Sequence, residues 1–364
     1  MIFPSEIHPH GTDQAETTAR ASAIKSQPYE PDMKSKHHLK LIALPHLAFA
    51  IATASAGTTE TVAPAPAAPT GCLDWIKVSG YAAIAYTNTD DNAIGETFAD
   101  GNTPFDAVKV GFTGTQGPFG GYVSLFYTPD VPGEDAGILD AYATYTAGGF
   151  TITGGKYLSY LGYEAFDTVN MNQLTYATGI GAIPAYHTGV KVDYATDTFG
   201  AGFSVSDSIT GGDGFWSGDD EFGDDQGYEG YITYKGIDKL TLWAGFGYEN
   251  TDNSQDWITY DFWASYALTE KLTVAGELAY HEDPGVEGIQ GLLFGQYAFT
   301  EKFSGVARFG IAERANDAGD DYSYTIAPTY KFCENFLARA ELTYNDKAED
   351  QDFVFYGVQA LAKF

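Results

Sequence analysis

Basic side chains are scarce in this chain: its 364 residues carry 19 Lys+Arg against 49 Asp+Glu, a formal net charge of −30. Nucleic-acid binding is excluded on that ground, because contacts to phosphate need clustered Lys and Arg. Cysteine is scarcer still, and 2 Cys can build neither a dense disulfide framework nor a Cys-rich zinc site. Long apolar runs are missing outside one N-terminal stretch, so no helical membrane span is expected. A transmembrane β-barrel stays open, since a barrel hides its apolar face in alternation. Abundant instead are Gly (42), Tyr (26) and Phe (24), too aromatic a mixture for a disordered chain.

The N-terminus has the three parts of a secretory signal. Met33 to Lys40 is basic, Leu41 to Ile51 is apolar, and Ala52-Thr53-Ala54-Ser55-Ala56 is a small-residue exit. Residues 1–32 are expected to be an upstream start extension, 33–56 the signal, 57–73 a Pro/Ala/Thr-rich linker and 74–364 the folded domain. Cleavage after Ala56 leaves His187 and His281 as the only histidines.

From Trp75 onward the dominant signal has period two. In Leu240 to Tyr248, Leu240, Leu242, Ala244, Phe246 and Tyr248 share one face, and Thr241, Trp243, Gly245 and Gly247 the other. Leu272 to Tyr280 and Phe336 to Tyr344 repeat the scheme, with Glu277, Arg339 and Glu341 on the polar side. Successive β side chains point to opposite faces, so each segment is a strand with one apolar and one polar wall. Short connections such as Ala147-Gly148-Gly149, Thr269-Glu270-Lys271 and Thr300-Glu301-Lys302 alternate with longer Asp/Gly/Asn-rich ones. The count is about sixteen strands, with fourteen to eighteen as the range.

Short turns on one rim and long loops on the other describe an all-β, antiparallel transmembrane barrel of the outer-membrane type, with short periplasmic turns and long extracellular loops. Tyr86, Tyr127, Tyr248, Tyr280 and Tyr344 fall near strand ends, where aromatic girdles belong. The last strand places Val358, Ala360, Ala362 and Phe364 on one face and ends on an aromatic.

Gly154-Gly155-Lys156-Tyr157, Gly162-Tyr163-Glu164, the Asn170/Asn172 pair and Pro184-Ala185-Tyr186-His187-Thr188-Gly189-Val190 resemble the OmpL-like (porin-2 type) family of β-barrel porins. Phe364 with its alternating apolar neighbours resembles the signal read by the barrel assembly machinery. The resemblance implies an outer-membrane channel of a Gram-negative-type bacterium and names no solute. About sixteen strands would also suit a homotrimer, the habit of general porins.

The longest internal connection, Ser159 to Ala185, is the third long loop. In general porins that loop folds inward, which makes Tyr160, Tyr163, Glu164, Phe166 and Asp167 candidates for a constriction; the competing reading packs the loop outside or over the mouth. Strand parity turns Lys77, Lys109, Lys191, Asp193, Glu277, Arg308, Arg339 and Glu341 toward the bore, because a charge facing lipid costs about 2–4 kcal/mol at mid-membrane. These groups either set a transverse field or neutralise one another. Inward Gly111, Gly245, Gly247 and Gly357 are expected to keep the bore open. The acidic loops (Asp90-Asp91, Asp219 to Asp225, Asp320-Asp321, Asp346 to Asp352) favour cations at a pore mouth, bridge to lipopolysaccharide through divalent ions, or are only a solvated surface. No run has the spacing of a Ca²⁺ loop, and no metal or cofactor is expected. Cys72 and Cys333 both fall near the seam of the barrel, where a disulfide is chemically allowed.

No catalytic motif is present: there is no G-x-S-x-G elbow, P-loop or H-E-x-x-H helix. His187 and His281 are expected at the rim or in a girdle. The expected function is passive diffusion of small hydrophilic solutes with a mild cation preference. Its rivals are a plugged structural or adhesive barrel, a barrel hydrolase, and a secreted soluble β protein.

Overall fold

The computed structural model describes residues 75–90, 97–98, 107–128, 136–209, 226–250, 256–315, 319–348 and 352–364. The start extension, signal, linker and Cys72 lie outside the described residues, as do Asp91 and Asp219 to Asp225.

The chain forms β1 (Ile76–Thr89), β2 (Thr97–Phe98), β3 (Ala107–Gln116), β4 (Phe119–Tyr127), β5 (Ala136–Ala147), β6 (Phe150–Leu158), β7 (Tyr186–Ala195), β8 (Phe199–Ser206), β9 (Gly227–Ile237), β10 (Leu240–Glu249), β11 (Trp257–Ala267), β12 (Leu272–Glu282), β13 (Glu287–Ala298), β14 (Phe303–Arg314), β15 (Asp320–Cys333), β16 (Phe336–Asp346) and β17 (Phe353–Lys363). β1 pairs antiparallel with β3, each later strand pairs antiparallel with the next, and β17 returns to β1 from Tyr81↔Lys363 to Thr89↔Phe355, which closes the sheet. The two-residue β2 adds a rung beside β1, so sixteen strands are the staves of the barrel. Closure removes the edges that would otherwise recruit other chains.

Tight turns line the rim that holds both ends of the barrel. At the β5–β6 turn Gly148 and Gly149 sit at φ of 58° and 84°, which glycine enters without a Cβ clash and which suits the twist of a hairpin. The longer connections open on the opposite rim.

The outer face is apolar and uncovered. Leu278 is 56% exposed and Leu293 63%, and Ile84, Ile326 and Val358 on other strands are also exposed. Lipid accepts such a surface and water does not. Rings border this band on both sides. Toward the long loops Tyr260 stacks on Tyr280 (6.4 Å) and Tyr324 on Tyr344 (6.3 Å) across strands. Their hydroxyls donate to rim carboxylates, Tyr280 to Glu282 (2.8 Å) and Tyr344 to Asp352 (2.9 Å). Toward the tight turns Phe119 meets Tyr145 (5.2 Å) and Phe150 meets Tyr194 (4.7 Å). Amphipathic rings of this kind suit the headgroup levels of a bilayer.

The buried side chains lie inside the cylinder. Leu161 and Tyr163 of the β6–β7 connection pack with Trp243, Trp257, Trp263, Leu292 and Phe294 of the wall. Phe166 and Val169 of the same connection pack against a second cluster formed by Tyr81, Phe126, Leu139 and Leu361.

Candidate functional site

Residues 159–185 leave the end of β6, run inside the barrel and return at β7; a bond from Ser159 N to Ala185 O (2.7 Å) closes the neck. A non-helical segment at membrane depth is tolerated only where protein or bore water satisfies its amides and carbonyls, since hydrocarbon offers no partners. The wall supplies them. Glu229 on β9 accepts from Ser159 Oγ (2.5 Å) and Tyr160 N (3.2 Å). Asp261 on β11 accepts from Gly162 N (2.8 Å), and Glu277 on β12 from Tyr163 N (2.5 Å). Glu341 on β16 takes Leu174 N and Thr175 N, and Gln290 on β13 takes Ile180 N (3.0 Å) and Ala182 N (3.3 Å).

Carbonyls are met by arginine. Arg308 on β14 donates to Thr175 O (2.5 Å) and Tyr176 O (3.1 Å) while pairing with Glu164 Oε1 (2.5 Å). Arg339 on β16 donates to Met171 O (2.7 Å), Gln173 O (3.0 Å) and Thr168 O (3.3 Å). Hydrogen bonds to a charged partner contribute about 1.5–3 kcal/mol each when well formed. The anchors span β9 to β16 and read main chain more than side chains, so the loop is fixed as a path.

The five loop residues singled out from the sequence turn back onto that wall. Tyr160 meets the Tyr231 ring (4.6 Å), Tyr163 lies against Trp263 (5.5 Å) and Phe294 (5.7 Å), and Phe166 meets Tyr186 (5.2 Å). Glu164 is held by Arg308, and Asp167 by Lys109 Nζ at 3.0 Å from both carboxylate oxygens. Lys109 also pairs with Asp140 of β5 (2.9 Å). Burial pushes the Asp167 carboxyl above its ordinary range, and the Lys109 ammonium opposes that rise without cancelling it. Burial likewise pushes Tyr163 up to about 12.

Each of the eight wall charges falls on the parity opposite the lipid-facing positions of its strand. Lys77 is exposed near the tight-turn rim, whereas Lys109, Arg308, Arg339 and Glu341 are buried by their loop partners. Sequence reasoning missed Glu229, Asp261 and Gln290 as anchors. The period-two pattern could have placed them on the inner face, but nothing in it says that a distant loop arrives to meet them.

His187 and His281 stand at strand ends beside the longer connections, which keeps the rim half of their expectation and removes the girdle half: both face inward and are buried, His187 Nε2 3.1 Å from Glu229 Oε1 and His281 between Thr259 (2.9 Å) and Asp283 (3.0 Å). One expectation is overturned: the inward glycines do not clear the bore. A Cβ on Gly111 would run into the Tyr122 ring, on Gly247 into the Trp257 ring (2.7 Å), and on Gly357 into the Leu174 side chain of the loop (2.9 Å). Each glycine makes room for a packed neighbour. As for the cysteine pair, Cys333 is an exposed free thiol at the end of β15, and its expected partner lies outside the described residues.

The fold is shared with solved outer-membrane barrels. OmpF of Salmonella typhi, solved with daunomycin, aligns with a TM-score of 0.60 at 14% identity over 79% of this chain and 97% of that one. The anion-selective porin of Comamonas acidovorans gives 0.57 at 12% over 79% and 99%. The trimer form of OmpT, an outer membrane protein of Vibrio cholerae, gives 0.56 at 14% over 79% and 99%. No curated protein matches the chain. At residues 76–360 it matches the family model described as "Putative beta-barrel porin-2, OmpL-like". The chain therefore belongs to that family of outer-membrane β-barrel porins.

Proposed function

We propose that this porin passes small hydrophilic solutes by passive diffusion, with residues 159–185 as its constriction and a mild preference for cations. The observation that carries the proposal is the loop itself, gripped at wall depth by Glu229, Asp261, Glu277, Arg308, Arg339 and Glu341. A barrel of this strand number leaves an aqueous channel unless something narrows it. The cation preference rests on the balance of inward charge. Lys109, Arg308 and Arg339 are engaged by Asp140, Asp167, Glu164 and loop carbonyls, while Asp261 and Glu277 face loop amides rather than cations. The Comamonas acidovorans barrel of similar fold is described as anion-selective, so the cation preference rests on this chain's own charges and not on the fold.

Purified protein in planar bilayers tests both halves. Stepwise conductance and a reversal potential favouring K⁺ over Cl⁻ in a salt gradient are expected. Silent membranes would favour the plugged barrel, and an opposite reversal potential would remove the cation preference.

A hydrolase has little support. Thr259, His281 and Asp283 form a hydrogen-bonded string, but Thr259 is fully buried and its hydroxyl faces the Ala182 carbonyl (3.1 Å). The trimer form of OmpT supports a homotrimer as the assembly to test by cross-linking in detergent. Phe364, exposed on the outer face in line with Ala362, Ala360 and Val358, suits the assembly-machinery reading. Bridging of rim carboxylates to lipopolysaccharide by divalent ions stays part of the proposal.

A further inference from the structure

One pair of opposite charges in the bore does not behave like the others. Lys191 and Asp193 lie two residues apart on β7 and therefore share its inner face, roughly 7 Å apart along the strand. They form no ion pair. The Lys191 ammonium lies instead over the rings of Tyr157 (4.5 Å) and Tyr160 (4.6 Å), and Asp193 Oδ1 accepts from Tyr231 Oη (3.1 Å). Tyrosines thus hold the two charges apart, with both residues only partly buried. Gly202, opposite Asp193 in the β7–β8 register, is the space that lets them converge: a Cβ there would meet the Tyr231 ring, the Asp193 carboxylate (2.7 Å) and the Tyr160 hydroxyl (2.8 Å). Tyr160 belongs to the inward loop, so the cluster sits where the loop leaves the wall.

We propose that Lys191 and Asp193 form a solute subsite for small zwitterions, α-amino acids and short peptides, at the root of the constriction. The reading deepens the porin proposal and rests on it for the route by which solute arrives. A carboxylate docks on the Lys191 ammonium and a solute ammonium on the Asp193 carboxylate. Both groups face the bore from one strand face, so a solute carrying both charges reaches one with its carboxylate and the other with its ammonium in a single pose. Cation–π contact orients the ammonium without pairing it to a carboxylate of the wall. A zwitterion also escapes the penalty that the acidic bore and loops place on a simple anion.

The test uses full-length protein in detergent and in planar bilayers, with glycylglycine as probe and acetate, methylammonium and a neutral sugar of similar size as comparisons. Saturable binding of glycylglycine by calorimetry is expected, with saturable reduction of the open-channel current. The comparison solutes should act at least tenfold more weakly. Lys191→Met and Asp193→Asn should each weaken the dipeptide effect about tenfold, Lys191→Arg should retain it, and Lys302→Met in a tight turn should change nothing. Circular dichroism and heat-modifiable mobility confirm folding of each variant. Equal block by acetate and glycylglycine, or dipeptide binding unchanged in Lys191→Met, overturns the subsite. A conducting channel that binds no dipeptide overturns it while leaving the porin intact; binding to a silent barrel supports the subsite and removes the porin reading.

Discussion

The two faces of one wall follow different physical rules. Outside, Leu278, Leu293, Ile326 and Val358 need only be apolar, because lipid is an unstructured partner and any hydrocarbon of moderate size meets it equally well. Inside, Arg308, Arg339, Glu229 and Glu341 each answer a particular amide, carbonyl or carboxylate of one loop, and no neighbour is interchangeable with another. The outer face is set by transfer and the inner by pairing. Substitutions should therefore be tolerated outside according to polarity and inside according to partner.

The largest effect is expected where pairing is densest. Arg308→Met keeps volume but takes the guanidinium from Glu164 and the side-chain donor from the Thr175 and Tyr176 carbonyls. Breaking a buried pair this way costs about 3–5 kcal/mol, and loop release should appear as new protease sites within 159–185 and a larger, noisier conductance. If Arg308→Met behaved like Arg308→Lys in both assays, the claim that the loop is held by pairing would fail.

On the outer face Leu278→Arg should cost about 2–4 kcal/mol in bilayer-based unfolding, while Leu278→Val should change stability by less than about 1 kcal/mol. A Val variant as damaging as Arg would show that this face meets protein rather than lipid. Gly247→Ala probes the boundary between the two regimes, since its Cβ would press on the Trp257 ring and Leu161 of the loop (3.3 Å). Overpacking there predicts a loss of about 1–3 kcal/mol, read by the same unfolding measurement.

The smallest effect belongs to the β12–β13 turn. Burial tends to raise the Asp283 carboxyl, but bonds from Gly285 N, His281 and Val286 N outweigh it and hold the group below the usual carboxylate range. With the folded value depressed, the turn's added stability is present above the ordinary carboxylate pKa and fades as pH falls through the lowered one. Amide exchange at Gly285 and Val286 should accelerate over that acid window in the native protein and show no such step in Asp283→Asn.

Much of the architecture was legible before any coordinates. Alternation in Leu240 to Tyr248 and Leu272 to Tyr280 gave the faces of β10 and β12, and the Thr-Glu-Lys turns marked hairpins, because side-chain direction in a strand depends only on parity. The inward burial of the histidines is not legible for the complementary reason: His281 bonds to nearby Asp283 but also to Thr259 on another strand, and His187 lies beside Glu229 from β9. The inward glycines failed the same way: an absent Cβ was read as open space, when only the fold shows that rings and loop fill it.

By itself the sequence determined a closed antiparallel barrel of fourteen to eighteen staves and which side chains turn inward, since each follows from period-two patterning and turn chemistry within a few residues. Only the tertiary structure decided that the third long loop lies inside, which carboxylate holds which amide, and that Lys191 and Asp193 are kept apart. Those facts depend on groups many tens of residues apart meeting across the bore, and pairing at that range leaves no period in the chain.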